Sequence, residues 1–239
     1  MTVSAILLDA GGVLLFPEPE VMLPPLLAAG LSPDLPMLER AHYRAMSVQD
    51  LPESLEPERD SWWRVYLETY VVACGAEDGT HADLATRMAA QIGGFGWTHV
   101  GPRARAALRA IAALGLPLGV VSNSDGTVQG ELRRLGVCYV PDGQAAPDGG
   151  VEMGVVLDSA VVGIAKPDPG IFRIALEALG VPADETVLHI GDSLRYDVAG
   201  ALAAGIRPVH LDPYGFCPAP VGHIHITSLA EVPALAATP

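Results

Sequence analysis

The chain has 239 residues, room for one α/β unit with a sizeable insertion but not for two independent domains of typical size. Its residues are 50% hydrophobic and 18% charged, which excludes a disordered or disulfide-dense chain, and the formal net charge of −14 repels the phosphate backbone of nucleic acid. No apolar stretch has the length of a membrane span, residues 1–10 lack the basic patch of a secretory signal, and Cys74, Cys138 and Cys217 suit neither a disulfide framework nor a zinc site, so the expected location is the cytoplasm.

Residues 3–8 form a short apolar run ended by Asp9-Ala10-Gly11-Gly12, the pattern of a buried strand running into a glycine-rich loop. Residues 17–96 then carry apolar and aromatic positions at helical spacing, among them Leu38, Ala41, Met46, Trp62, Trp63, Tyr66 and Tyr70, and predict an inserted helical cap subdomain. Pro17, Pro19, Pro24 and Pro25 at its entry and residues 93–96 at its exit are expected hinges. Residues 1–16 and 97–239 remain as the core. There a helical stretch over 102–114 leads into a second strand, 116–121, stopped by Ser122-Asn123-Ser124-Asp125-Gly126. Residues 141–150 read as an exposed loop or hairpin, a third strand over 185–190 stops at Gly191-Asp192-Ser193, and a fourth, 208–211, follows another helix. Strands alternating with helices predict an α/β fold with a doubly wound parallel sheet.

In such sheets the site lies beyond the carboxyl ends of the strands, where polar residues from several strands converge. Those residues are Asp9, Ser122, Asn123 and Asp192, with Lys166 supplied by a loop and helix start. Two carboxylates brought together repel unless a cation separates them, and all-oxygen ligation suits Mg2+, so a metal between Asp9 and Asp192 is expected. Asp9 then serves as nucleophile toward phosphorus, while the metal, Lys166 and Ser122 neutralise the oxygens of the transferring group. Of 14 basic residues, 13 are arginine and Lys166 alone is lysine, which points to a task needing a compact ammonium rather than a planar fork.

Four segments together resemble the haloacid dehalogenase superfamily, in the subfamily whose helical cap lies between the first and second motifs: Leu8-Asp9-Ala10-Gly11-Gly12-Val13-Leu14, Val121-Ser122-Asn123, Lys166-Pro167-Asp168-Pro169-Gly170-Ile171-Phe172, and Gly191-Asp192-Ser193 with Asp197 beyond. The resemblance covers nearly the whole chain and implies a Rossmann-like core. It also implies Asp9 as nucleophile, Ser122 and Lys166 as phosphoryl holders, and Asn123 beside them on the substrate. Asp192, Asp9 and the backbone carbonyl of Gly11 become Mg2+ ligands, and Asp197 orients Lys166 or the metal shell. The expected partner is a small phosphorylated metabolite, without nucleic acid or membrane, acted on by a monomer or homodimer. The departure is Gly11, where family phosphatases usually carry the aspartate that serves as general acid and base. Its loss should slow hydrolysis of alkyl esters, since general acid help is commonly worth about 10²- to 10⁴-fold. Asp125 is a candidate stand-in, although it also reads as a surface-loop residue.

Three other functions share parts of this pattern. A metal-independent 2-haloacid dehalogenase also lacks the second aspartate, but Asp192 beside Asp9 without metal would be repulsive. A phosphonate hydrolase needs a cap lysine for a Schiff base, and the cap has none. A non-catalytic phosphate-binding protein has little need of Asp9. Several residues are read as structural: Trp62, Trp63, Tyr66 and Tyr70 as packing, Arg40, His42, Tyr43 and Arg44 as a solvated helix face, Glu18 and Glu20 as surface charge, and His189 as a satisfied core or edge histidine. His223 and His225, a pair without further ligands, do not make a metal site.

Overall fold

The computed structural model describes residues 2–51, 59–77, 79–92, 96–219 and 222–237. Its chain divides into two compact units, one formed by Met1–Leu15, Val100–Pro213 and Pro220–Pro239, the other by Phe16–His99 with Tyr214–Ala219. From the N-terminus the elements are β1 (Ala5–Leu8), β2 (Leu15–Phe16), α1 (Pro19–Ala28), α2 (Leu35–Gln49), α3 (Arg59–Ala73), α4 (His81–Ile92), β3 (His99–Val100), α5 (Ala104–Ala112) and β4 (Leu118–Ser122). They continue with α6 (Val128–Arg134), β5 (Cys138–Tyr139), β6 (Val151–Glu152), β7 (Val155–Asp158), α7 (Ser159–Val162), α8 (Pro169–Leu179) and β8 (Val187–Gly191). A π-helical turn (Leu194–Val198), α9 (Ala199–Ala204), β9 (Arg207–Leu211), β10 (Ile224–Ile226), a 3-10 turn (Leu229–Glu231) and α10 (Val232–Ala237) complete the chain.

The first unit is built on a six-stranded sheet in the order β10-β9-β8-β1-β4-β7, parallel throughout. Strands β1, β4 and β8 are buried at every position, which is why they read as unbroken apolar runs rather than alternating ones. Leu7 and Val121 pack with Ile171, Phe172 and Leu176 of α8 and Ala201 of α9, so helix and sheet share one core. Helix α8 starts where local chemistry says it should: the Asp168 carboxylate accepts from the Gly170 amide at 2.8 Å, Pro169 occupies the first turn, and Gly180 ends the helix in the left-handed region. Register then sets the site. Leu8 lies opposite both Val120 and Ile190, and Ser122 opposite Asp158, so the strands end level and their polar termini face one region. The loop over 141–150 is largely exposed and is no hairpin, because β5 and β6 pair in parallel.

The second unit holds α1 to α4 around Met22, Leu26, Leu38, Ala41, Met46, Tyr66, Leu67, Tyr70, Val71, Leu84 and Met88. Tyr66 and Tyr70 are fully buried there and Trp63 packs against them, as the helical spacing predicts; the Trp62 side chain and residues 93–95 lie outside what is described. The reading of residues 40–44 as a solvated face needs correction. His42 and Tyr43 are buried, and the His42 ring meets the Tyr66 hydroxyl at 2.9 Å, whereas Arg40 and Arg44, one helical turn apart, lie exposed over the Phe216 ring. Glu18 is half-buried rather than simply solvated, accepting a hydrogen bond from the Thr98 hydroxyl at 2.6 Å. Among the described residues no helix is long and apolar enough to cross a membrane.

Candidate active site

Asp9 follows β1 directly and is held in place by its own loop. The amide of Ala10 donates to Asp9 Oδ1 at 2.7 Å, and the Asp9 amide donates to the Ile190 carbonyl at 2.8 Å. Gly12, at φ 68°, takes the left-handed conformation that lets the chain double back within this loop. Lys166 Nζ sits 2.9 Å from Asp9 Oδ1 and 2.7 Å from Asp197 Oδ1, with only 1% of its side chain exposed. The ammonium is therefore a bridge between two buried carboxylates.

Asp197 is reached by the π-helical turn. Its Oδ1 accepts from Lys166 and from His189 Nε2 at 2.8 Å, and its Oδ2 from the Ser193 amide at 3.2 Å. With both oxygens engaged, Asp197 acts as a positioning group for Lys166. Burial works to raise its pKa, but Lys166 and the His189 N–H outweigh that and hold it well below the usual carboxylate range. Asp9 goes the other way: burial, reinforced by Asp197 and Asp192, overcomes Lys166 and pushes it up to about 6. Lys166, opposed by burial but faced by Asp197 and Asp9, is raised.

Oxygen atoms of Asp9, Asp192 and Asp197, all three buried, lie within 4.8 Å of one another. Three carboxylates around one lysine leave an excess of negative charge in a dry site. A hard divalent cation with oxygen ligands is the chemistry that relieves it, and Asp9 and Asp192, with the Gly11 carbonyl in the same loop as Asp9, fit Mg2+. Asp197, already saturated by protein donors, stays outside that ligand set.

Ser122, 4% exposed, ends β4. Asn123, read from sequence as a substrate contact, spends both ends of its carboxamide on Lys166: Nδ2 donates to the Lys166 carbonyl at 2.9 Å and Oδ1 accepts from the Lys166 amide at 2.8 Å. It fixes the loop that carries the lysine, whose bond to Pro167 is cis. Asp125 is tied to Thr127, accepting from its hydroxyl at 2.6 Å and its amide at 3.2 Å, and these bonds lower its pKa, the wrong direction for a general acid.

Two participants escape the sequence reading. His189, expected to be a core histidine, is fully buried but helps to hold Asp197, and nothing local in the strand announces a partner eight residues away. Asp158, at the end of β7, accepts from the amides of Gly126, Val128 and Ala160 and so anchors the loop after Ser122. Gly191 completes the support, because a Cβ there would overlap the Asp197 carboxyl group. Gly191→Ala should therefore displace Asp197, lower turnover by about tenfold or more, and cost 1–3 kcal/mol in urea unfolding, roughly the penalty of overpacking. Unchanged turnover would show that Asp197 has room the geometry denies.

A family model described as haloacid dehalogenase-like hydrolase matches residues 3–205. The chain is 32% identical over 184 residues to "Haloacid dehalogenase-like hydrolase domain-containing protein 3" of Danio rerio, covering 72% of this chain and 68% of that protein. It is 37% identical over 112 residues to a phosphoserine phosphatase of Thermus thermophilus, covering 46% of this chain and 40% of that one. In structure it is similar to a 2-haloacid dehalogenase from Pseudomonas syringae, with a TM-score of 0.54, 25% identity and 98% of both chains covered.

Proposed function

The chain belongs to the haloacid dehalogenase-like hydrolase family, and on that premise we propose that it is a magnesium-dependent phosphohydrolase of small phosphorylated metabolites working through a phospho-Asp9 intermediate. One observation carries the reading: a buried lysine 2.9 Å from Asp9, in a cluster of three carboxylates that needs a further cation. Bound Mg2+, held by Asp9, Asp192 and the Gly11 carbonyl, would neutralise their charge and that of the phosphoryl oxygens. Asp9 Oδ1 is occupied by Ala10 and Lys166, which fixes the orientation of the carboxylate. A carboxylate oxygen attacks phosphorus, the ester P–O bond breaks, and the leaving alkoxide takes a proton from solvent water; a second water then attacks phosphorus, releasing phosphate and regenerating the Asp9 carboxylate. Lys166 and Ser122 hold the phosphoryl oxygens, while Asp197, His189 and Asn123 keep Lys166 in position.

Asp192 and its share of the negative charge favour this reading over dehalogenation, in which Asp9 would have to ionise against Asp192 and Asp197 with one lysine for both. The helical unit takes the part of the cap, and the protein works in the cytoplasm as monomer or homodimer. Since Gly11 carries no acid and Asp125 is committed to Thr127, the leaving group must depart largely unassisted. An activated aryl phosphate should accordingly turn over about 10² times faster or more than an alkyl phosphate, only with Mg2+ present, and EDTA should stop it. Metal-independent halide release from a short haloacid, with no phosphate release from any ester, would move the chain to the dehalogenase branch. Tight phosphate binding without turnover of any substrate would make it a binding protein.

A further inference from the structure

Away from the carboxylate cluster, three histidines converge at one edge of the sheet. In the parallel pairing of β9 with β10, His225 stands opposite His210, and His223 lies immediately before β10, two residues from His225. The ring centroids of His210 and His223 are 5.3 Å apart, those of His210 and His225 5.2 Å, and those of His223 and His225 4.4 Å. One ligand nitrogen from each ring lies within 4.8 Å of the others.

The hydrogen bonding around His210 decides what this cluster can do. His210 is 4% exposed, and its Nε2 lies 3.1 Å from the backbone carbonyl of Asp192. A carbonyl only accepts, so Nε2 carries the proton and Nδ1 presents a lone pair. That Nδ1 is buried with no hydrogen-bond partner, and so is His225 Nε2. Two buried, unpartnered ring nitrogens among three close imidazoles are costly as they stand. An imidazole whose far N–H is fixed on a backbone carbonyl is also the usual arrangement of a histidine that ligates a metal.

We infer that His210, His223 and His225 form a second metal site, separate from the magnesium carboxylates and suited to a late first-row divalent ion such as Zn2+. Three imidazole nitrogen donors suit zinc and its neighbours and are foreign to Mg2+, which takes oxygen. The ion would clamp the edge strand β10 onto β9. Through the His210–Asp192 hydrogen bond, it would also touch the backbone of the loop that carries a magnesium ligand.

The test is metal binding by the full chain after treatment with a chelator, followed by Co2+ absorption in the visible and by competition with Zn2+. Wild type should take up one Co2+ with the intense bands of a low-coordinate nitrogen site, and the Asp9→Asn, Asp192→Asn double variant should do the same. The His223→Asn, His225→Asn double variant, shown folded by circular dichroism, should bind at least about 100-fold more weakly. Should that variant fail to fold, Cu2+ bound to the wild-type chain should display hyperfine splitting from three ring nitrogens. Nitrogen-site bands that survive the histidine changes, that vanish with the carboxylates, or that never appear in the wild-type chain would overturn the site. None of these readouts depends on phosphatase turnover.

Discussion

Asp9→Asn should abolish turnover and, in the metal-free protein, raise stability. Losing the nucleophile is expected to cost a factor on the order of 10⁴ or more, because no other group can form the covalent intermediate. The gain in stability follows from burial. In the folded chain Asp9 titrates near 6, above its ordinary value of 3.8, so folding takes up a proton between these limits. Stability therefore falls as pH rises through that window, and above it the full penalty remains, at most about 3 kcal/mol. Asparagine cannot ionise but still accepts from the Ala10 amide. The variant should melt up to roughly 6–12 °C higher than wild type at pH 7.5 without metal, and by only about a third of that margin at pH 4.5, inside the window. Mg2+ should close the gap by stabilising wild type alone. An active Asp9→Asn protein would end the mechanism, and a variant less stable than wild type at pH 7.5 would mean that Asp9 is not strained.

Lys166 should separate charge from shape. Lys166→Met leaves Asp9 and Asp197 buried without their shared cation, a defect of about 3–5 kcal/mol in urea unfolding, together with loss of turnover. Lys166→Arg keeps the charge, so much of that stability should return, less about 1–3 kcal/mol for forcing a larger group into a slot of which 1% is exposed. Its turnover on an aryl phosphate should nevertheless stay about 10²- to 10³-fold down, since a planar fork cannot sit 2.9 Å from one carboxylate and 2.7 Å from the other in the same pose. Wild-type turnover by the arginine variant would show that any cation suffices, and that a single lysine among 14 basic residues carries no meaning.

These expectations rest on residues that differ in how openly the sequence displays them. Asp9, Ser122 and Asp192 are legible because a parallel strand buried on both faces appears as an unbroken apolar run, and the first polar residue after it marks the end where such sheets place their chemistry. Lys166 is legible from composition and from the Asp168-Pro169 helix start beside it. Asp158 ends a run of only three apolar residues, Val155-Val156-Leu157, too short to stand out, and its three amide partners lie in other segments. Asn123 looked like a substrate contact because it follows Ser122, yet its carboxamide reaches 43 residues along the chain to Lys166.

The histidines and the helical unit make the same point from different sides. His223 and His225 looked insufficient for a metal because the third ring, His210, is supplied by strand pairing and not by proximity in sequence. In the helical unit, the spacing of Tyr66 and Tyr70 showed that they face inward, but His42 and Tyr43 were masked by the arginines on either side of them. Likewise, no local pattern marks Tyr214–Ala219 as part of that unit. What the amino-acid sequence alone determined was the set of strand ends and the chemical groups standing on them, because alternation, burial and turn residues act over a few neighbours. Which carboxylate shares the lysine, which one is left strained near 6, and which imidazoles meet were decided only by the tertiary structure, because register between strands far apart in the chain sets those distances and burial sets the charges.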